Sequence, residues 1–184
     1  VLRSEPENVN GLGAYLYFGP HWAGHRSPCS LHVDMVFNNK RITHAPHLFK
    51  VGYAGPMHHS WHRATVAHNT VAVDERSMFP FDFETESLWE TDYWRSRISD
   101  SEIKFFQPGK EFKAIRVTND NVYEGSLLDR TIVTTPTMLI DVFRVSSAAE
   151  HQFDWAFHLH GSIARPTDAL PPSQRLKFLD GVDW

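Results

Sequence analysis

Hydrophobic and polar residues alternate with a period of two over many short segments of this chain. Within Ser30–Phe37 the odd-numbered positions are apolar, and the polar residues Ser30, His32 and Asp34 occupy even-numbered positions. This pattern predicts a half-buried β-strand in which His32 and Asp34 belong to the polar sheet face. Asn38-Asn39 follows directly and predicts a hairpin turn, because asparagine tolerates left-handed backbone angles.

Seven further segments have the same strand-like character. They are Ala14–Phe18, Asn69–Asp74, Glu102–Phe106, Phe112–Thr118, Leu128–Thr135, Thr137–Val145 and His151–Gly161. No segment shows a convincing helical period. Many short strands separated by Asn, Gly and Pro predict an all-β fold, an antiparallel β-sandwich.

The length of 184 residues suits one domain, 1–184, with the Pro-rich stretch 165–175 as a surface loop or linker. A formal net charge of −4 argues against a nucleic-acid partner. No apolar run is long enough to span a bilayer, and no signal peptide opens the chain. The chain also lacks an initiator methionine, so it is expected to be a mature product or a piece of a longer protein.

Histidines are concentrated: nine of the twelve lie between His21 and His68. His25 precedes a strand, in a loop where functional residues tend to lie, although a lone surface histidine is the simpler interpretation. Further along, Arg63, His68 and Asn69 supply hydrogen-bond donors suited to an anionic group such as a carboxylate. The alternative is a turn with a capping asparagine.

Two other histidine groups could bind a metal ion. Neutral imidazoles are common zinc ligands, and His47 and His68 could share one, but no tight ligand spacing is present. In the last strand, Asp154, His158 and His160 fall on one face. They could hold a metal or a sugar, or form a solvated polar face.

The segments "AGHRSPCSLHVDMVFNNK", "APHLFKVGY" and "SWHRATVAHNTVAVD" together resemble the heparinase II/III family of polysaccharide lyases, and are also similar to oligoalginate lyases. The resemblance extends over Ala14–Gly161, and "AHNTVAVD" is its most specific part. It implies a helical (α/α) toroid followed by a supersandwich-like β-sandwich. Only the sandwich is matched here, so the chain is expected to lack the preceding toroid.

The resemblance also implies roles for individual residues. His25 matches a substrate-side histidine of the family, and His62 stands where the family often has tyrosine; both are predicted to be catalytic. The predicted substrate-binding residues are His58, Arg63 and Asn69.

A zinc ion or another divalent metal is the implied cofactor. His68 matches one family ligand, and His47 falls, after a short gap, where the family has an aspartate ligand. Ser27 occupies the position of a ligand histidine, and serine is a poor zinc ligand. The implied metal site is therefore altered, shifted or lost.

The expected function is β-elimination on uronic-acid-containing glycans, with this chain forming one wall of the active-site cleft. The expected partners are an acidic polysaccharide or oligosaccharide and an N-terminal helical domain or chain. Whether this chain has lyase activity without that helical domain is left open. The resemblance implies a periplasmic or secreted location. Two alternatives stand beside this one: a non-catalytic carbohydrate-binding or structural β-sandwich, and a uronyl C5-epimerase.

Overall fold

The computed structural model describes residues 1–4, 10–19, 28–43, 61–62, 64–78 and 101–161. Within these ranges the chain forms ten β-strands and a short 3-10 helix at Thr65–Ala67, and no α-helix. The strands are β1 (Leu2–Arg3), β2 (Gly13–Tyr17), β3 (His32–Phe37), β4 (Lys40–Arg41), β5 (Val71–Val73), β6 (Glu102–Pro108), β7 (Lys113–Asn119), β8 (Ser126–Thr134), β9 (Leu139–Ser147) and β10 (Phe153–Trp155).

The described strands form three antiparallel sheets. Sheet 1 has the order β1-β2-β3-β4, sheet 2 has the order β6-β7-β8-β9, and a small sheet pairs β5 with β10. Sheets 1 and 2 share one hydrophobic core, in which Leu31 and Val33 pack in the same cluster as Val117, Leu128 and Ile132. The predicted all-β antiparallel sandwich is therefore confirmed.

The hairpin between β3 and β4 is formed by Asn38-Asn39, as the sequence predicts. Both residues are left-handed, with φ of 49° and 55°, and Phe37 pairs with Lys40 across the turn. Two consecutive left-handed residues match the right-handed twist of the flanking strands. The turn fixes the register of β4 and so places Arg41 opposite Val36.

Strand β3 is buried on both sides, so the prediction of a half-buried strand with a polar sheet face is wrong. His32 is 3% exposed and Asp34 is 2% exposed. The residues just before β5 cover this side: the backbone N–H of Asn69 donates to His32 Nδ1 at 2.8 Å, and the Thr70 hydroxyl donates to Ser30 O at 2.7 Å. A strand that receives such a layer buries its polar side chains as well, provided that they are hydrogen-bonded.

The last predicted strand, His151–Gly161, is much shorter in the structure. Only Phe153–Trp155 pairs with β5. Beyond it the N–H of Ala156 still reaches Thr70 O at 3.1 Å, but the next hydrogen bond, from His158 N, goes to the side chain of Asn69. The backbone leaves the sheet at that point and continues beside the end of sheet 1, where Thr43 and Leu159 form an isolated bridge.

Two further expectations from the sequence concern the stretch 165–175 and membrane-spanning segments. The predicted loop or linker at 165–175 lies outside the described residues. Among the residues that the structure does describe, no helix is long and apolar enough to cross a membrane.

Candidate functional site

A buried carboxylate lies at the centre of the polar cluster on sheet 1. Asp34 accepts hydrogen bonds from Thr43 Oγ1 at 2.9 Å, from Arg41 Nη2 at 2.8 Å and from Tyr17 Oη at 3.4 Å. The donors reach it because Tyr17 pairs with His32, and Arg41 with Val36, on the two strands that flank β3. We call Tyr17, His32, Asp34, Arg41 and Thr43 the Asp34 cluster.

The cluster shifts the pKa values of its two acidic members in opposite directions. Burial alone would raise the pKa of the Asp34 carboxyl, but hydrogen bonds from His32 and Thr43 and the charge of Arg41 outweigh it. The pKa therefore lies below the ordinary value of 3.8. Burial and the negative charge of Asp34 raise the pKa of the Tyr17 hydroxyl, so Tyr17 keeps its proton and remains a donor.

The lowered pKa of Asp34 predicts a pH-dependent contribution to stability. The folded protein favours the carboxylate more than the unfolded chain does, so this contribution is present above the unfolded pKa and is lost as pH falls through the folded pKa. Asp34→Asn should thus be less stable than wild type at neutral pH, and the difference should shrink as pH falls below the ordinary carboxyl value of 3.8. Urea denaturation across a pH series measures this.

The matched control for that series is Asp120→Asn, at an exposed position just after β7. Its unfolding free energy should follow the wild-type curve at every pH. If the difference in unfolding free energy between wild type and Asp34→Asn stays constant with pH, the assignment of a lowered pKa to the Asp34 carboxyl is contradicted.

Two buried histidines face each other beside the Asp34 cluster, and we call them the histidine pair. The rings of His32 and His68 meet edge to face, with centroids 5.6 Å apart. His32 accepts the N–H of Asn69 at Nδ1, so its proton is on Nε2, which lies 3.5 Å from Asp34 Oδ1. His68 Nδ1 lies 2.9 Å from Ala64 O and must donate to it, so in the neutral ring the lone pair is on Nε2.

The short 3-10 helix positions His68. The residue follows Ala67 directly, and its backbone N–H donates to Thr65 O at 3.0 Å. Thr65 is fully buried, and its hydroxyl donates to Pro28 O at 2.7 Å while it accepts from Met78 N at 2.8 Å. The helix is thereby anchored to the segment that leads into β3, which brings His68 to His32.

Asn69 joins three segments of the chain at the base of the site. It is 0% exposed, its side-chain amide donates to Val33 O at 3.0 Å, and its side-chain oxygen accepts His158 N at 2.6 Å. The His158 ring in turn donates from Nε2 to Val66 O at 2.7 Å. Both ends of the Asn69 amide are therefore engaged within the protein, and its predicted contact with substrate stays a prediction.

The predicted site residues fall partly within the described chain. His62 is 7% exposed and follows Trp61, whose ring meets the ring of His158 at 5.8 Å. The structure thus places His68 and Asn69 next to β3. The other predicted residues, His25, His47, His58 and Arg63, lie outside the described residues, as does Ser27.

The remaining polar group from the sequence does not form as one strand face. Asp154 lies in β10, where its carboxylate accepts two contacts from Gln152 Nε2 at 3.0 and 3.2 Å. His158 and His160 follow the end of that strand, and His160 N donates to Ile42 O at 2.9 Å. Within the described part of the chain, His158 connects this group to the site through Asn69 and Val66.

The metal implied by the resemblance fits one of these histidines. When its ring is neutral, His68 has the tautomer of a metal ligand, since its Nδ1 proton is bound by a backbone carbonyl and the lone pair is on Nε2. His32 does not fit in its present tautomer because Nε2 carries the proton. Among the described residues, no group of three His, Cys, Asp or Glu side chains is arranged to hold a metal. The site with His47 and His68 stays a prediction.

The comparison with protein families decides where this chain belongs. Residues 18–175 match the family model described as "Heparinase II/III-like, C-terminal", which is most of the chain. The chain belongs to this heparinase II/III-like family. The family is one of polysaccharide lyases, which confirms the resemblance seen in the sequence.

Individual relatives of this family member agree. An exo-oligoalginate lyase of Saccharophagus degradans and an alginate lyase of Stenotrophomonas maltophilia are each 27% identical to it over 110 residues. That alignment covers 56% of this chain but only 14% of either relative. The chain thus spans a small part of the length of the curated relatives that it matches.

Solved structures show the same fold. A heparinase III gene product has a TM-score of 0.65 at 20% identity, covering 85% of this chain and 22% of that one. A mutant heparan sulfate lyase from Pedobacter heparinus has a TM-score of 0.55 at 16% identity, covering 74% of this chain and 19% of that one. At these identities the likeness establishes the fold alone.

Several site residues are found only in the structure. Tyr17 and Arg41 were not singled out by their sequence, because each belongs to an ordinary strand or hairpin pattern. Only the register of β2 and β4 against β3 brings them to Asp34. Arg130 did carry a signal: in β8 it shares a face with Leu128 and Ile132, and a charge on a core-facing position indicates a buried partner.

Proposed function

We propose that this heparinase II/III-like chain forms the β-sandwich wall of the active-site cleft of a polysaccharide lyase acting on uronic-acid-containing glycans. The observation that carries the proposal is the family match over residues 18–175, combined with a histidine pair held beside a buried carboxylate on the matched segment. The proposed location is periplasmic or secreted, where such polymers are found.

The reaction requires three tasks. The negative charge of the uronate carboxylate must be offset so that the C5 proton becomes acidic. A base removes that proton, the electron pair forms the C4=C5 double bond, and the C4–O4 bond breaks as O4 receives a proton. His25 and His62 are the proposed proton-transfer residues. His58, Arg63 and Asn69 are the proposed substrate-binding residues.

The described part of the site supports the first task with one further side chain. Arg41 uses Nη2 for Asp34, and its side chain is 37% exposed. A guanidinium carries five N–H donors, so the outward ones suit a sugar carboxylate. Tyr17, whose pKa is raised by burial and by Asp34, presents a protonated hydroxyl beside it. We therefore add Arg41 to the proposed substrate-binding residues.

A metal ion held by His47 and His68 would supply a positive charge for the substrate carboxylate. Elemental analysis of the purified protein tests this directly. Stoichiometric zinc or manganese that is lost in His68→Ala would support it, and a metal-free wild-type protein would overturn it.

The lyase proposal predicts a new ultraviolet absorbance when the protein meets its polymer, because each cleavage creates a conjugated C4=C5 double bond. Alginate, heparan sulfate and hyaluronan should be tested separately. Each assay should be run with the chain alone and with the protein in its natural full length. Product from any of the three confirms β-elimination.

A non-catalytic carbohydrate-binding domain is the second candidate. It is favoured by the exposed aromatic residues of β10, where Phe153 is 41% and Trp155 55% exposed. Measurable binding without product, in both forms of the protein, would select this candidate. Exchange of the C5 proton for deuterium in D₂O without cleavage would instead indicate an epimerase.

A further inference from the structure

A fully buried arginine links sheet 2 to the histidine pair. Arg130 of β8 is 0% exposed. Its Nε and Nη2 donate to the two carboxylate oxygens of Asp141 on β9, at 2.9 and 2.5 Å, and its guanidinium carbon lies 4.7 Å from the Phe143 ring centroid. Side-on pairing with a carboxylate neutralises the buried charge.

The remaining hydrogen bonds of Arg130 leave sheet 2. Nη1 donates to Leu31 O at 2.5 Å and to Asn69 O at 2.6 Å. Leu31 immediately precedes His32, and Asn69 immediately follows His68. One guanidinium nitrogen therefore bridges the two backbone segments that carry the histidine pair.

The bridge acts at two sensitive points of the backbone. Leu31 is 0% exposed and left-handed, with φ of 56°, a conformation that a leucine adopts only when its surroundings hold it there. Asn69 uses its N–H for His32 Nδ1, and its carbonyl accepts Val33 N at 3.3 Å in addition to Arg130. A shift of either carbonyl would change the distance between Asn69 N and His32 Nδ1, which selects the His32 tautomer.

We propose that Arg130, held in place by Asp141, is a positioning residue that sets the relative placement of His32 and His68 and the tautomer of His32. Asp141 neutralises the buried charge, and the carbonyls of Leu31 and Asn69 satisfy the Nη1 donors, which ties both histidine segments to the same guanidinium. The consequence for catalysis rests on the proposed lyase function, whereas the effect on the histidine rings does not.

Arg130→Lys is the main test, because lysine keeps the charge but cannot form the fork. The readout is the set of side-chain nitrogen signals of His32 and His68 in long-range ¹H–¹⁵N NMR spectra, which distinguish protonated from unprotonated ring nitrogens. We expect His32 as the Nε2–H tautomer in wild type, and displaced or mixed signals from both rings in Arg130→Lys. In a form with lyase activity, kcat should fall by about 10- to 100-fold with little change in KM.

Arg116→Lys is the matched control. Arg116 of β7 forms the same side-on pair with Asp129, at 2.8 and 2.6 Å, and both residues lie within sheet 2. Its replacement should leave the signals of both rings and kcat unchanged. Asp141→Asn keeps the guanidinium and removes its charged partner, so it should shift the ring signals as Arg130→Lys does. It replaces Arg130→Lys as the test if the lysine variant does not fold.

The outcomes separate the two proposals. Unchanged His32 and His68 signals in a folded Arg130→Lys protein overturn the positioning role, whatever the activity. A wild-type spectrum showing His32 as the Nδ1–H tautomer overturns it without any variant. Absence of lyase activity in wild type, with the ring signals shifted in Arg130→Lys, overturns the lyase proposal and supports the positioning role.

Discussion

Asn69→Ala is expected to lower the free energy of unfolding by about 3 kcal/mol, since it leaves one buried acceptor and one part-buried donor without hydrogen-bond partners. Val33 O loses the donor at 3.0 Å, and His158 N loses the acceptor at 2.6 Å. Asn69→Asp should cost more than alanine, because it places a carboxylate against the Val33 carbonyl in a fully buried position. Urea denaturation monitored by tryptophan fluorescence and circular dichroism measures both.

Asn121→Ala provides the comparison for Asn69. Asn121 is exposed and contributes its backbone N–H to a turn, so its replacement should change stability by less than about 0.5 kcal/mol. If Asn69→Ala also changes the unfolding free energy by less than this amount, the Asn69 amide does not stabilise the fold. Loss of glycan binding at unchanged stability would then assign Asn69 to the substrate, as the family resemblance implies.

His62 should respond to substitution in a way that separates catalysis from folding. With a proton-transfer role, His62→Ala lowers kcat by about 100-fold or more. His62→Tyr should retain much of the activity if, as the resemblance implies, a tyrosine fills the same role at this position in the family.

The assay for His62 uses the form of the protein that yields unsaturated product. Near-ultraviolet circular dichroism should show both variants folded, which matters because His62 is only 7% exposed. His151→Ala is the control: this histidine pairs with Asp74 at 2.7 Å, outside the Asp34 cluster and the histidine pair, and its loss should leave kcat unchanged. Wild-type kcat in His62→Ala would remove His62 from the proposed mechanism.

The sequence predicted the strands that form hairpins with their neighbours. Alternation and the Asn38-Asn39 turn suffice for β3, because both are local signals. The two-residue strands β1 and β4 are too short for any period to be visible. The length of β10 was overestimated because its alternation continues past Trp155, whereas the ladder is ended by Asn69, a residue far away in the chain.

Local sequence patterns likewise predicted only part of the site. His68 and Asn69 stand in a segment with a distinctive family pattern, and the structure places both beside β3. His32 and Asp34 were assigned to an open polar face, because local periodicity cannot reveal that a second layer covers the strand. Arg41 and Tyr17 become visible only through strand register, which no local pattern specifies.

The small sheet has a consequence for the order in which the protein folds. Sheet 2 joins strands that follow one another in the chain, from β6 to β9. By contrast, the contact between His158 and Asn69 closes a loop of 89 residues. Contacts between distant residues carry a larger loop-closure entropy and form slowly. We therefore expect the hairpins of sheet 2 to gain hydrogen-exchange protection first and the segment around Asn69 last. A kinetic intermediate would then have sheet 2 formed while the candidate site was still incomplete.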